Sequence, residues 1–390
     1  MKLTAEISNP KTHQRLKMKL PATYSTIEDA LQRLGCDETV TMDGRILDEY
    51  GRGAGNFYFE NSNIFELNQL AELTQHFEDD ASHAFIGGYF LMSKDGMTLA
   101  KTINLAMNIK SNNLVFCQPA RDERDLAEFY LENDLIPELK DVADEAYQWI
   151  VDHTDLESLG EEILQNENGT FISGAYVTMD ELEQLYDGSF RMPIPESYIF
   201  KLEVGFNPKD DDGSRYTLPL PTSHSEIDRM MSEMEVKSLS ELTCYKCQSI
   251  VPLLEPMDFD MTDIHTLNQL ATSIAYFKET GEFITYKAMV DALEVIDLEA
   301  VNQLCEYVGD FELQESARSF SAYGKSKFQG TVPDELLQCI DTDDYGTKMT
   351  EKDGVSMTSY GALVPKDGEP LLEKMTQIEH TQTTGMEMTM

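Results

Sequence analysis

Cys244 and Cys247 are spaced as C-x-x-C, the arrangement by which two thiols can share a metal or exchange a disulfide. A structural zinc site needs four ligands, and the chain has neither a second C-x-x-C nor an H-x₃₋₅-H, so neither zinc nor redox chemistry is expected there. Asp210-Asp211-Asp212-Gly213 resembles part of a calcium loop. With Gly213 in the glycine position, Pro208 and Pro219 fall where the first and last carboxylates belong, which leaves a solvated hairpin tip. Gly51-Arg52-Gly53-Ala54-Gly55 lacks the Gly-Lys-Ser/Thr of a phosphate cradle and reads as a flexible loop. No H-E-x-x-H and no G-x-S-x-G occurs, so nothing argues for catalysis, and no cofactor is expected.

What remains is a concentration of carboxylates. Asp122, Glu123, Asp125, Glu128, Glu132 and Asp134 decorate one segment whose apolar side is Leu126, Phe129 and Tyr130. Residues 125, 128 and 132 follow i, i+3, i+7 spacing, which puts their carboxylates on one helix face. Glu138, Asp141, Asp144 and Glu145 continue the pattern, with Lys140 the lone nearby base. Like charges at such spacing cost a helix a few tenths of a kcal/mol per pair, so a sequence that keeps them has a use for them or simply solvates that face.

The elements that hold these residues come from a repeat. Ile64, Leu67-Asn68-Gln69-Leu70-Ala71 and Phe77 recur 200 residues later as Ile264, Leu267-Asn268-Gln269-Leu270-Ala271 and Phe277. Leu20-Pro21 and Ile27 recur at the same offset as Leu220-Pro221 and Ile227, and Asn9-Pro10-Lys11 recurs two residues out of step as Asn207-Pro208-Lys209. Gly160 followed by residues 171–177 has a weaker echo in Gly346 and 357–364. Two copies are expected, at 1–180 and 197–366, joined by a linker at 181–196. A short helix and a Pro-rich connector are expected within 178–196, and a disordered tail at 367–390.

Each copy opens with a hairpin pattern, Leu3–Ile7 with Leu16–Leu20 and Tyr198–Phe206 with Arg215–Leu220. A helix follows each Leu-Pro, capped by Ser25 or Thr26 and by Ser225, with Ile27, Ala30, Leu31, Leu34 and Ile227, Met230, Met231, Met234 as core positions. Further helices are expected at 99–110, 122–133, 138–152, 285–295 and 299–308, and each copy closes on short strands around a Gly-containing turn. The fold class is α+β, with small antiparallel sheets and helical middle segments.

Charge sets the function class. Against 71 Asp+Glu stand 30 Lys+Arg, a formal net charge of −41 over 390 residues. At one charge per ~1.7 Å of duplex axis, that equals roughly 70 Å of DNA. A surface so negative repels nucleic acid and attracts sites built to hold it. Hydrophobic content of 41% is enough for real cores, so the charge does not imply global disorder. No apolar run approaches a membrane span, the N-terminal residues have no secretory core, and six scattered Cys read as reduced thiols of a cytoplasmic protein.

These motifs resemble the ArdA antirestriction family. Glu66-Leu67-Asn68-Gln69-Leu70 is similar to its E-L-N-x-L helix start, and residues 122–130, DERDLAEFY, to its acidic D-x-x-D-[LV]-[AG]-x-[FY]-Y segment. Gly169-Thr170-Phe171-Ile172-Ser173 resembles its terminal G-T-F-I-S. In the second copy, Ser316-Ala317-Arg318-Ser319-Phe320 stands where the acidic segment should be. The resemblance implies an elongated, DNA-like protein of a mobile genetic element. It implies binding without catalysis to the DNA groove of a type I restriction–modification enzyme, at its methyltransferase core, as a homodimer or a pseudo-dimer within one chain. The resemblance also implies no direct nucleic-acid binding. The alternatives are an acidic decoy for another DNA-binding protein (repressor, nucleoid protein or nuclease), an enzyme whose residues assemble only in three dimensions, or a structural protein kept soluble by charge.

Overall fold

A computed structural model of the chain describes residues 3–37, 42–48, 57–93, 96–110, 115–140, 142, 144–206, 213–293, 295–337 and 339–376. The backbone divides into two compact units, Met1–Ala22 with Glu38–Pro193 and Thr23–Asp37 with Ile194–Met390. Both mix helices with small antiparallel sheets, an α+β fold.

The first unit starts with the hairpin β1 (Leu3–Ser8) and β2 (Arg15–Leu20), in register Leu3↔Leu20. Leu3, Ala5 and Ile7 alternate into the core. The Asn9 side chain accepts from the Lys11 backbone N–H at 2.8 Å and holds the Asn-Pro-Lys turn. Helix α1 (Tyr24–Leu34) follows and is counted with the second unit. Strands β3 (Met42–Asp48) and β4 (Phe57–Ser62) complete a sheet of order β2-β1-β3-β4. Helices α2 (Ile64–Thr74), α3 (Asp79–Ser93) and α4 (Leu99–Lys110) form the middle layer. Then come β5 (Val115–Gln118), α5 (Glu123–Glu132), α6 (Asp144–His153), α7 (Leu156–Glu167), β6 (Thr170–Ile172) and β7 (Ala175–Met179), with sheet order β5-β7-β6.

The second unit holds β8 (Phe200–Phe206), β9 (Tyr216–Leu220), α8 (His224–Glu233) and β10 (Leu242–Ser249), with sheet order β10-β8-β9. Its middle layer is α9 (Ile264–Thr280), α10 (Phe283–Asp291) and α11 (Leu298–Leu304). After β11 (Phe311–Gln314) come α12 (Phe320–Phe328), α13 (Asp334–Leu337) and α14 (Asp343–Asp353). Strands β12 (Ser356–Thr358) and β13 (Gly361–Pro365) give a last sheet of order β11-β13-β12.

Local features recur at matching positions. Both Leu20-Pro21 and Leu220-Pro221 are cis. Asn68 accepts from the Ala22 N–H at 2.7 Å, and Asn268 from the Thr222 N–H at 2.7 Å. Each LNQLA helix therefore uses its asparagine to hold the chain just after the hairpin.

The polar face of α1 is buried in the second unit. Lys287 Nζ donates to Asp29 Oδ1 at 2.7 Å and to Gln32 Oε1 at 2.9 Å, and Tyr360 donates to Asp29 at 2.7 Å. Arg318 donates to the Arg33 and Gln32 carbonyls at 2.8 and 2.9 Å, satisfying acceptors that a helix C-terminus leaves open.

Several expectations are corrected. The cap of α1 is Thr23, which accepts from the Thr26 N–H, and Ser223 precedes α8; neither Ser25, Thr26 nor Ser225 caps. The helix expected over 138–152 is broken: Pro137–Leu139 makes one 3₁₀ turn and α6 begins only at Asp144. Residues 180–199 contain no helix. Their backbone is held by asparagines of α4 instead. Asn104 accepts from the Leu185 and Tyr186 N–H groups, and Asn104 and Asn108 both donate to the Glu183 carbonyl. Beyond Pro370, residues 371–376 are helical with Leu371 buried, and 377–390 lie outside the described residues. So do residues 51–56 and 207–212, which carry the Gly-rich loop and the Asp run.

Candidate acidic interface

Helix α5 is built to present carboxylates. Asp122 is its N-cap and accepts from the Asp125 N–H at 3.0 Å; Asp125 in turn accepts from the Arg121 N–H at 3.1 Å. Carboxylates suit this end because the helix dipole is positive there. Leu126, Ala127, Tyr130 and Leu131 face the core. Asp122, Glu128, Glu132 and Asp134 are exposed, while Glu123 and Asp125 are half-buried. Glu128 accepts from Arg124 at 3.2 Å, an exposed pair worth little.

Helix α7 lies against α5 at backbone contact. A Cβ built on Gly160 would stand 1.8 Å from the Glu123 carbonyl oxygen, so only glycine allows this approach. One carboxylate locks the pair to the sheet: Glu167 accepts from Tyr130 at 2.7 Å and from Tyr176 at 2.8 Å. Burial and the Glu167 carboxylate push both phenols well above their usual range, so they stay protonated donors.

Sequence reading missed the contribution of α7. Asp155 caps it, and Glu157, Glu161 and Glu162 are exposed along it, with Asp152 just before. The signal was present as carboxylates at i and i+4, Glu157 and Glu161, in a stretch read only for its glycine. Hydrogen bonds from the Ser158 hydroxyl and backbone N–H hold the Asp155 carboxyl below the usual carboxylate range. The structure therefore packs the helix that carries exposed Glu128 and Glu132, capped by exposed Asp122, against the helix that carries exposed Glu157, Glu161 and Glu162. Glu138 lies in the 3₁₀ turn and Asp144 and Glu145 open α6, without described side chains; Asp141 lies outside the described residues.

The matching helix pair of the second unit has the same closeness and other charges. A Cβ on Gly346 would stand 1.8 Å from the Phe320 carbonyl oxygen, and Tyr323 donates to Asp353 at 2.9 Å. Helix α12 carries Lys325 and Lys327 in place of carboxylates, and Lys327 pairs with Asp353 at 2.7 Å.

Other candidate chemistry resolves into structure. A bulge in β10 between Cys244 and Lys246 sets Cys244 opposite Val204 and Cys247 opposite Leu202, two fully buried core positions of β8. Burial, with Cys244 nearby, pushes the Cys247 thiol up to about 12, so it is not a thiolate at neutral pH. Among the described residues, no group of three or more His, Cys, Asp or Glu is arranged to hold a metal ion. A cleft of about 400 Å³ is lined by Tyr130, Asp134, Ile136, Lys140 and Tyr147. Its two phenols are already committed, Tyr130 to Glu167 and Tyr147 to the Leu131 carbonyl. Among the described residues, no helix is long and apolar enough to cross a membrane.

No family model matches the chain, and no curated protein matches it.

Proposed function

We propose that this chain is a DNA mimic of the ArdA kind, binding the DNA groove of a type I restriction–modification enzyme at its methyltransferase core and excluding DNA. The carrying observation is the α5–α7 ridge, with exposed carboxylates on two helices that Gly160 and Glu167 fix against each other. A basic groove attracts a row of anions whatever backbone carries them. Carboxylates on rigid helices replace phosphates, need no backbone ordering on binding, and offer nothing to cleave. The mode is binding, without catalysis or cofactor, in the cytoplasm where incoming DNA is met.

We infer further that the two halves are tandem copies, of which the second lost the acidic ridge. Supporting this are the asparagine bonds to residues 22 and 222, the like order of the closing sheets β5-β7-β6 and β11-β13-β12, and the paired glycines at 160 and 346. Activity then belongs mainly to the first copy.

The test is competition for a purified type I methyltransferase core against labelled cognate duplex. Displacement by submicromolar protein that weakens as salt rises is expected. No displacement at low salt would sink the reading. Equal displacement of DNA from an unrelated repressor, nucleoid protein or nuclease would favour a general acidic decoy.

A further inference from the structure

Helix α6 follows the ridge and carries the one tryptophan of the chain, Trp149. Its orientation is fixed from the other side. The Tyr147 hydroxyl donates to the Leu131 carbonyl at 2.6 Å, which ties α6 to the end of α5. Two residues further on, about 200° round the helix, Trp149 points away from that contact and is 63% exposed. One turn later His153 stacks on the indole, ring centroids 4.3 Å apart and nearly parallel, and a His153 ring nitrogen lies 2.8 Å from the Trp149 carbonyl oxygen. The stacked imidazole thus narrows the rotamers open to the indole before any partner arrives. Exposed Asp152, Asp155 and Glu157 follow it in sequence.

Tryptophan is the residue most enriched among interface anchors, and one already restrained loses less entropy on binding. Its negative π face also favours a cation, as does the exposed carboxylate of Asp152, which helical i, i+3 spacing puts on the same side of α6. Charge and ring thus ask for the same occupant, a basic protein groove presenting Arg or Lys side chains.

We propose that Trp149 is the apolar anchor of the acidic face: its indole packs against a cationic side chain of the basic groove and supplies the part of the affinity that salt does not screen. The proposal rests on the DNA-mimic reading and adds to it a specific contact that phosphate mimicry alone does not require. Carboxylates bring the partners together over a Debye length; the indole acts only at contact.

The experiment compares the full-length parent, Trp149→Ala and Trp149→Phe in displacement of duplex from the methyltransferase core, at low and moderate salt. Trp149→Ala is expected to need about tenfold more protein or more at both salts, with the dependence on salt unchanged because no charge is lost. Trp149→Phe recovers most of the loss. Equal potency of parent and Trp149→Ala would overturn the anchor and leave the DNA-mimic reading standing; failure of the parent to displace DNA would remove both. A direct readout guards against a folding defect. The full chain labelled with 5-fluorotryptophan has a single ¹⁹F resonance, whose H₂O/D₂O solvent isotope shift reports exposure. That shift is expected to collapse when the methyltransferase core binds, and its persistence in the complex would overturn the proposal.

Discussion

Lys287 is fully buried, and its ammonium is tolerable only because Asp29 and Gln32 receive it. Removing one partner strands the other. Lys287→Met is expected to lower unfolding stability by about 3–5 kcal/mol, and adding Asp29→Asn should recover more than half of that; urea unfolding of the single and double variants measures both. Near-additive losses would mean the two residues do not act as a pair. Asp155 makes a pH-dependent contribution. Its folded value lies below the unfolded one, so its stabilisation is complete above the usual carboxylate value of about 4 and is lost as pH falls through the folded value. Asp155→Ala should therefore melt below the parent at neutral pH and converge with it in strong acid; a constant gap across pH would refute the cap's role. Asp29 shows what residue-level sequence reading lacks. Its equivalent 200 positions on is Arg229, exposed and paired with Glu226 and Glu233, so the repeat pattern gave no hint that Asp29 was buried.

At the scale of elements, the packing of α5 on α7 turns on one missing Cβ. Gly160→Ala would drive a methyl carbon into the Glu123 carbonyl, and backbone cannot move aside as a flexible side chain does. The expected cost is about 2 kcal/mol or more, seen as a lower melting temperature, with a like effect for Gly346→Ala in the second unit. A neutral Gly160→Ala would mean the helices are not held at this distance. Much at this scale was legible in sequence, because apolar period and Leu-Pro repeats report local burial directly: Ile27, Ala30, Leu31 and Leu34 are all buried, and the hairpin strands fall where alternation put them. What sequence could not supply was long-range. The Asn104 and Asn108 side chains hold the backbone of 183–186 some 80 residues away in an irregular path, where composition suggested a helix. The half of the ridge on α7 was missed for the same reason. Spacing within α5 says nothing of which helix lies beside it.

Across the whole molecule, a net charge of −41 predicts that salt acts with opposite signs on folding and on binding. The folded chain concentrates like charge that the unfolded chain spreads out, so screening favours folding. The Debye length falls from about 30 Å at 0.01 M salt to about 10 Å at 0.1 M, and the melting temperature should rise over that interval. Attraction to a basic groove is screened by the same ions, so displacement of duplex should weaken over the same interval. The two responses separate in a ridge variant combining Asp122→Asn, Asp125→Asn, Glu128→Gln and Glu132→Gln. Like-charge repulsion is relieved, but the favourable placement of the Asp122 and Asp125 charges at the positive end of α5 is lost, so its melting temperature should stay near the parent's at low salt. Its potency in displacement should fall about tenfold or more if each carboxylate stands in for one phosphate contact, and its binding should depend less steeply on salt. A variant that displaces DNA as well as the parent would locate the mimic elsewhere on the surface. One that loses potency with an unchanged salt slope would mean these carboxylates shape the face without facing the groove.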